Sequence, residues 1–318
     1  MPTNDRGRNG GEYNSRLKDW DSSAGVRAKP RRLLMDEESM GKVYFSTALV
    51  PIIHHPLIVG MGPEAQRRLL IQHLYHYLDF TTNFEIEVVN HAARRIAFGK
   101  AGFRLPDAML FDAYKVYCDE GFHSFFSVDI KQQVEAATGV APLPYNFREF
   151  LGRLNEARKG VPENLRQVSA LLMVIVFETL ISSILNKIPK DKQVISAVRE
   201  MVSDHADDEA RHHSFFSNLF DIIWPQLSEK QHSVLGPLLP HFIIKSLEPD
   251  YNAIRRRLAW CGLPPADVEQ VIEGSYPHDE VIAALRKTAS ATLRLFDRNG
   301  LFKDARTLDA FHRSELLP

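Results

Sequence analysis

Residues 168–185, VSALLMVIVFETLISSIL, form an apolar run broken by one acid, Glu178. A run of this length stands near the threshold for a membrane helix. A lone carboxylate at its centre is costly in lipid and equally costly in a dry core unless something pairs with it. What other helices bring to Glu178 therefore decides what the chain can fold into.

From residue 36 onward the sequence reads as long helices. The stretch 63–100 opens with Pro63 at a helix start and closes at Gly99. Positions 70, 74, 78, 81, 88 and 92 mark its buried face. A second helix follows Pro106 to about Thr138, and GVAPLPYN (139–146) separates it from the next. The helix around Glu178 is expected to end near Pro189, and another to run from Asp191 to Asp221. Shorter helices are expected at 229–247, 249–261, 265–273 and 278–297. The fold class is all-α: one domain, residues 34–318, built as a long-helix bundle with additional C-terminal helices.

Residues 1–33 are polar and rich in Gly, Asn and Asp, and are expected to be disordered or draped on the surface. They contain no apolar segment of the secretory kind. The only cysteines, Cys118 and Cys261, make no disulfide framework and suit a reducing, cytoplasmic setting. With 39 basic and 40 acidic residues, no global positive field exists to hold nucleic acid. Arg255, Arg256 and Arg257 read as a solvated face.

The chemistry lies in a motif that occurs twice. Asp119-Glu120-Gly121-Phe122-His123 and Asp208-Glu209-Ala210-Arg211-His212 are both D-E-x-x-H within helical stretches. Glu and His three apart share a helix face and reach one point. Glu120 and His123 continue the inward series 109, 113, 116 and 127. In the second copy His205, Glu209 and His212 fall within about 60° on a helical wheel. On the 63–100 helix Glu85 lies on the buried stripe, whereas Glu87 faces solvent. Four helices thus each bring an inward carboxylate, Glu85, Glu120, Glu178 and Glu209, and two of them add a histidine. That is the donor pattern of a dimetal carboxylate bundle. Asp119 and Asp208 are placed to orient metal-bound histidines. Tyr114 and Tyr117, near Glu120, are expected to pack in the core.

In order and spacing these residues resemble the p-aminobenzoate N-oxygenase (AurF-like) family: Glu85, Glu120-x-x-His123, Glu178, then His205-x-x-x-Glu209-x-x-His212. The additional His205 separates this pattern from six-ligand ferritin-like proteins. The resemblance implies a ferritin-like bundle, often a homodimer, holding two iron ions per chain. It also implies use of O2 and an external electron donor or redox partner to oxidise an amine to a hydroxylamine, nitroso or nitro product in natural-product biosynthesis. A di-iron C-hydroxylase or an iron-oxidising ferritin-like protein is the alternative. LDFTTNF (78–84) and the run around Glu178 carry no cation. A substrate pocket walled by Phe84, Phe177 and Ile181 is therefore expected to take a weakly polar aliphatic or aryl amine, free or tethered to a carrier protein.

Overall fold

A computed structural model describes residues 13–35 and 41–318. The helices of eight residues or more are α1 (Pro63–Phe84), α2 (Asn90–Ala97), α3 (Asp107–Thr138), α4 (Phe147–Glu156), α5 (Arg166–Leu185) and α6 (Ser196–Ile223). They continue with α7 (Leu239–Leu247), α8 (Tyr251–Trp260), α9 (Pro265–Ser275), α10 (His278–Arg298) and α11 (Ala305–Arg313). No strand occurs among the described residues; one isolated bridge pairs Val43 with Val194. The fold is all-α.

Helix α5 is the apolar run. By length and composition alone it could cross a membrane, but most of it is buried inside the bundle. Leu171 to Leu180 are buried without a break, so over these ten residues the helix has no solvent face. It packs against α6 on one side and α7 and α10 on the others, and α3 packs on α1, α2 and α6. The Thr292 hydroxyl of α10 donates to Thr179 of α5, tying the C-terminal helices to the centre.

Local chemistry sets several boundaries. Gly139, at φ 66°, ends α3 in the left-handed conformation that glycine tolerates best. Between α1 and α2 lies a π-turn, Glu85–Val89, closed by a hydrogen bond from Asn90 N–H to the Glu85 carbonyl. The extra residue keeps Glu85, Val88 and Val89 inside while Ile86 and Glu87 are exposed. The expected single helix over 63–100 is therefore interrupted where its carboxylate points inward.

Other boundaries depart from expectation for identifiable reasons. Helix α6 starts at Ser196 rather than Asp191, because residues 191–195 are held in other bonds. The Ile195 N–H donates to the Val43 carbonyl, and Asp191 accepts from the Ser46 hydroxyl at 2.6 Å. The stretch 229–247 splits at Gly236-Pro237, where a 3-10 turn, Gly236–Leu238, separates Glu229–Leu235 from α7. Proline has no N–H to continue the ladder. Arg255 and Arg256 pair with Glu269 and Glu149 at the surface, but Arg257 is buried beside His73. Tyr114 and Tyr117 are each 45% exposed rather than in the core.

Of the expected disordered or draped N-terminal segment, residues 13–35 run over α3 and α6; residues 1–12 lie outside the described residues. Leu17, Ala24 and Gly25 are buried there.

Candidate metal centre

The inward face of each core helix delivers its acid to one place. Glu85 comes from the π-turn, Glu120 and His123 from α3, Glu178 from α5, and His205, Glu209 and His212 from α6. All seven side chains are buried.

Two groups of four donors share one pair of residues. Glu85, His123, His205 and Glu209 have donor atoms within 4.8 Å of one another, and so do Glu120, His123, Glu209 and His212. His205 Nε2 lies 3.1 Å from Glu85 Oε1 and 3.4 Å from Glu209 Oε1. His212 Nδ1 lies 3.0 Å from Glu120 Oε1 and 3.2 Å from Glu209 Oε1. His123 Nδ1 lies 3.2 Å from Glu120 Oε2 and 3.5 Å from Glu209 Oε1. Glu178 stands outside both groups but borders the same small void as Glu85 and Glu209.

The electrostatics are those of a cluster short of positive charge. Burial pushes Glu178 well above the ordinary carboxylate range, and Glu209 and Glu120 push the same way. Burial likewise pushes Glu85 up to about 7, against the pull of His205. Burial alone would neutralise His205 and His212, yet Glu85 and Glu120 respectively outweigh it and raise both imidazoles well above their usual range. Glu178 Oε2 and Glu85 Oε2 are buried without a hydrogen-bond donor. Orphaned carboxylate oxygens beside imidazole nitrogens fit divalent cations of intermediate hardness, iron among them.

The expected orienting aspartates bond across the bundle. His212 Nε2 lies 3.1 Å from Asp119 Oδ2, and His123 Nε2 lies 3.1 Å from Asp208 Oδ2. Each D-E-x-x-H copy thus supplies the aspartate for the other copy's histidine. A proton held at Nε2 leaves the Nδ1 lone pair facing the carboxylates.

Phe84, Phe177 and Ile181 border a void of about 10 Å³ together with Glu85, Glu178 and Glu209. The Phe84 and Phe177 rings pack at a 34° tilt with centroids 3.7 Å apart, closing that side to anything larger than water. A cavity of about 360 Å³ opens instead between α2, α4 and α5. Val88 and Val174 on its wall stand about one helical turn from Glu85 and Glu178. Its polar lining is Glu87, His91, Arg95, Asn155, Arg158 and Gln167, two guanidiniums against one carboxylate. The guanidiniums bond to neutral groups: Arg95 to the Lys100 carbonyl and Gln167, Arg158 to Ser169, Asn155 and the Arg166 carbonyl. Sequence reasoning missed both arginines, because they lie far along the chain from the D-E-x-x-H motifs. The signal available was only their place on faces flanking α5.

Comparison with curated proteins gives no match. A family model described as P-aminobenzoate N-oxygenase AurF matches residues 19–300, nearly the whole chain. With the buried carboxylate and imidazole cluster at its centre, the chain belongs to the AurF p-aminobenzoate N-oxygenase family of di-iron oxidoreductases.

Proposed function

We propose that the protein is a di-iron N-oxygenase that uses O2 and an external electron donor to oxidise an aryl amine bearing an anionic group. The observation that carries this reading is the convergence of seven buried donors in a chain of this family. Glu85, Glu120, His123, Glu178, His205, Glu209 and His212 would hold two iron ions, which would supply activation of O2 for oxygen transfer. The remaining work falls to the protein. Asp119 and Asp208 fix the histidine tautomers and ring orientation. Phe80, Phe84 and Phe177 form a dry aromatic wall that excludes water from the reacting centre.

Reconstitution under anaerobic conditions tests the site: about two irons per chain are expected. Asp208→Asn should weaken iron binding about 10- to 100-fold through His123, because an amide cannot take the Nε2 proton as a carboxylate does. An unchanged binding isotherm in that variant removes Asp208 from the assignment.

The substrate class follows from the 360 Å³ cavity. The expected preference for a weakly polar amine rested on the lack of cations near Glu85 and Glu178. Arg95 and Arg158 supply two, and among the described residues neither shows a carboxylate hydrogen-bond partner. A guanidinium that meets a carboxylate in a fork forms a strong charge-assisted pair. Arg95→Gln should therefore raise KM for p-aminobenzoate about tenfold or more, while KM for an uncharged aniline changes little. Equal effects on both amines contradict this use of the cavity.

The protein is further read as a homodimer, with α3 at its interface. Helix α3 is apolar on two faces. Its outer face carries Phe111, Tyr114, Cys118, Gly121, Phe125 and Val128 at alternating spacings of three and four, the seam of paired helices. Phe111 and Phe125 are 64% and 63% exposed, and Gly121 at mid-seam leaves open space for a close approach. Phe125→Asp is expected to yield monomer in sedimentation equilibrium; a dimer of undiminished affinity speaks against this interface.

A further inference from the structure

Both outer aspartates are gripped by the same N-terminal segment. The Trp20 indole Nε1–H donates to Asp119 Oδ1 at 2.7 Å, while the other oxygen of that carboxylate faces His212. The Gly25 backbone N–H donates to both oxygens of Asp208, at 3.2 and 3.1 Å, while Oδ2 faces His123. Five residues apart, Trp20 and Gly25 therefore complete two parallel chains, Trp20–Asp119–His212 and Gly25–Asp208–His123. The contacts join positions about a hundred and more residues apart in sequence. Asp208 Oδ1 also accepts from Arg211 on its own helix, whose guanidinium reaches the Ser23 carbonyl of the same segment, so Gly25 is the backbone donor to Asp208 from outside α6 among the described residues.

The segment is fastened on either side of these two points. Tyr13 donates to Asp112 at 2.7 Å, and Lys115 donates to the Leu17 carbonyl at 2.8 Å. Beyond Gly25, Lys29 pairs with Asp207 at 2.9 Å and Arg32 forks onto Asp204 at 2.7 and 3.1 Å. The fit at Gly25 is tight: a Cβ there would stand 2.6 Å from Asp208 Oδ2 and 3.5 Å from the Phe122 ring. Only a residue without a side chain lets the segment approach closely enough for its N–H to reach the carboxylate.

We propose that residues 13–32 are a clamp that sets the metal centre from outside, with Trp20 and Gly25 as positioning residues for His212 and His123. An aspartate that accepts only from a histidine can rotate about its own χ2 torsion. A second donor on the far side fixes the carboxylate plane, and with it the imidazole and the direction of Nδ1. The clamp reaches His212, which belongs to one donor group, through an indole, and His123, which both groups share, through a backbone amide, so the two chains can be perturbed separately. This inference rests on the metal reading of the cluster.

The test compares the full-length chain with Trp20→Phe, Gly25→Ala and, as control, Arg31→Gln, which alters an exposed strap pair with Asp129. Anaerobic Fe(II) titration, Mössbauer spectra of the loaded proteins and thermal unfolding of the metal-free proteins are measured. Trp20→Phe keeps an aromatic ring and loses the donor, and Trp20 is only half-buried, so metal-free stability should fall little. Iron affinity is expected to fall about tenfold, the lower end of the effect of an outer partner, with one of two spectral components altered. Gly25→Ala, acting through the His123 that both donor groups share, should alter both components, and Arg31→Gln neither. If the unmodified chain loads two irons and Trp20→Phe and Gly25→Ala match it in affinity and spectrum, the clamp is overturned while the metal reading stands. An unmodified chain that takes up no iron overturns both.

Discussion

Glu178→Gln is expected to make the metal-free protein more stable and the iron-loaded protein less so. In the metal-free chain Glu178 is a buried carboxylate with Glu209 and Glu120 close enough to repel it and an oxygen without a donor. Replacing it with an isosteric neutral amide removes that cost, about 1–3 kcal/mol by the usual penalty for a buried group left unsatisfied. The same change removes a negative ligand, so loading should fall below two irons and the stabilisation conferred by iron should shrink with it. Calorimetry with and without iron reads both signs. A purely structural Glu178 gives the opposite pattern: a less stable metal-free protein that still takes up two irons.

His205→Ala has the largest expected effect on turnover. Its Nε2 touches Glu85 and Glu209, its Nδ1 lies 3.5 Å from the Tyr77 hydroxyl, and its ring packs 4.3 Å from that of His123. Removing it dismantles only the donor group built on Glu85; Glu120, His123, Glu209 and His212 remain. One iron per chain should therefore still bind tightly, while the other binds weakly. Amine oxidation should fall about a hundredfold or more, the scale on which misplacing a reacting group lowers a rate. Metal analysis beside product analysis separates the two effects, and unchanged turnover would refute the role given to the seventh donor.

The burial and convergence of these seven side chains were legible because each obeys a local rule. Glu120 and His123 share a helix face by spacing, as do His205, Glu209 and His212, and Glu178 was conspicuous in an apolar run. What stayed hidden depends on contacts between distant segments. The π-turn at Glu85–Val89 is a one-residue insertion, and the apolar stripe from Leu70 to Ala92 reads equally well through it. Spacing marked Asp119 and Asp208 as orienters but could not say that each would serve the other helix, since Asp119 also stands within one turn of His123. Composition left residues 1–33 as either disordered or draped on the surface. Residues 13–33 are draped: Lys29, Arg31 and Arg32 pair with acids on α3 and α6, and Leu17 and Ala24 are buried. Helix α3 misled on its tyrosines for a related reason. A helix apolar on opposite faces shows no single inward side, so Tyr114 and Tyr117 could not be assigned to core or surface.

The central claim, that the buried cluster holds two irons serving oxidation at nitrogen, is tested most directly by one single-turnover experiment. The protein is loaded with iron, reduced and mixed with labelled O2, with p-aminobenzoate or with uncharged aryl and aliphatic amines. A hydroxylamine, nitroso or nitro product carrying the label is expected, formed fastest from the carboxylated aryl amine. Two irons per chain with no labelled nitrogen product from any amine would contradict the central claim.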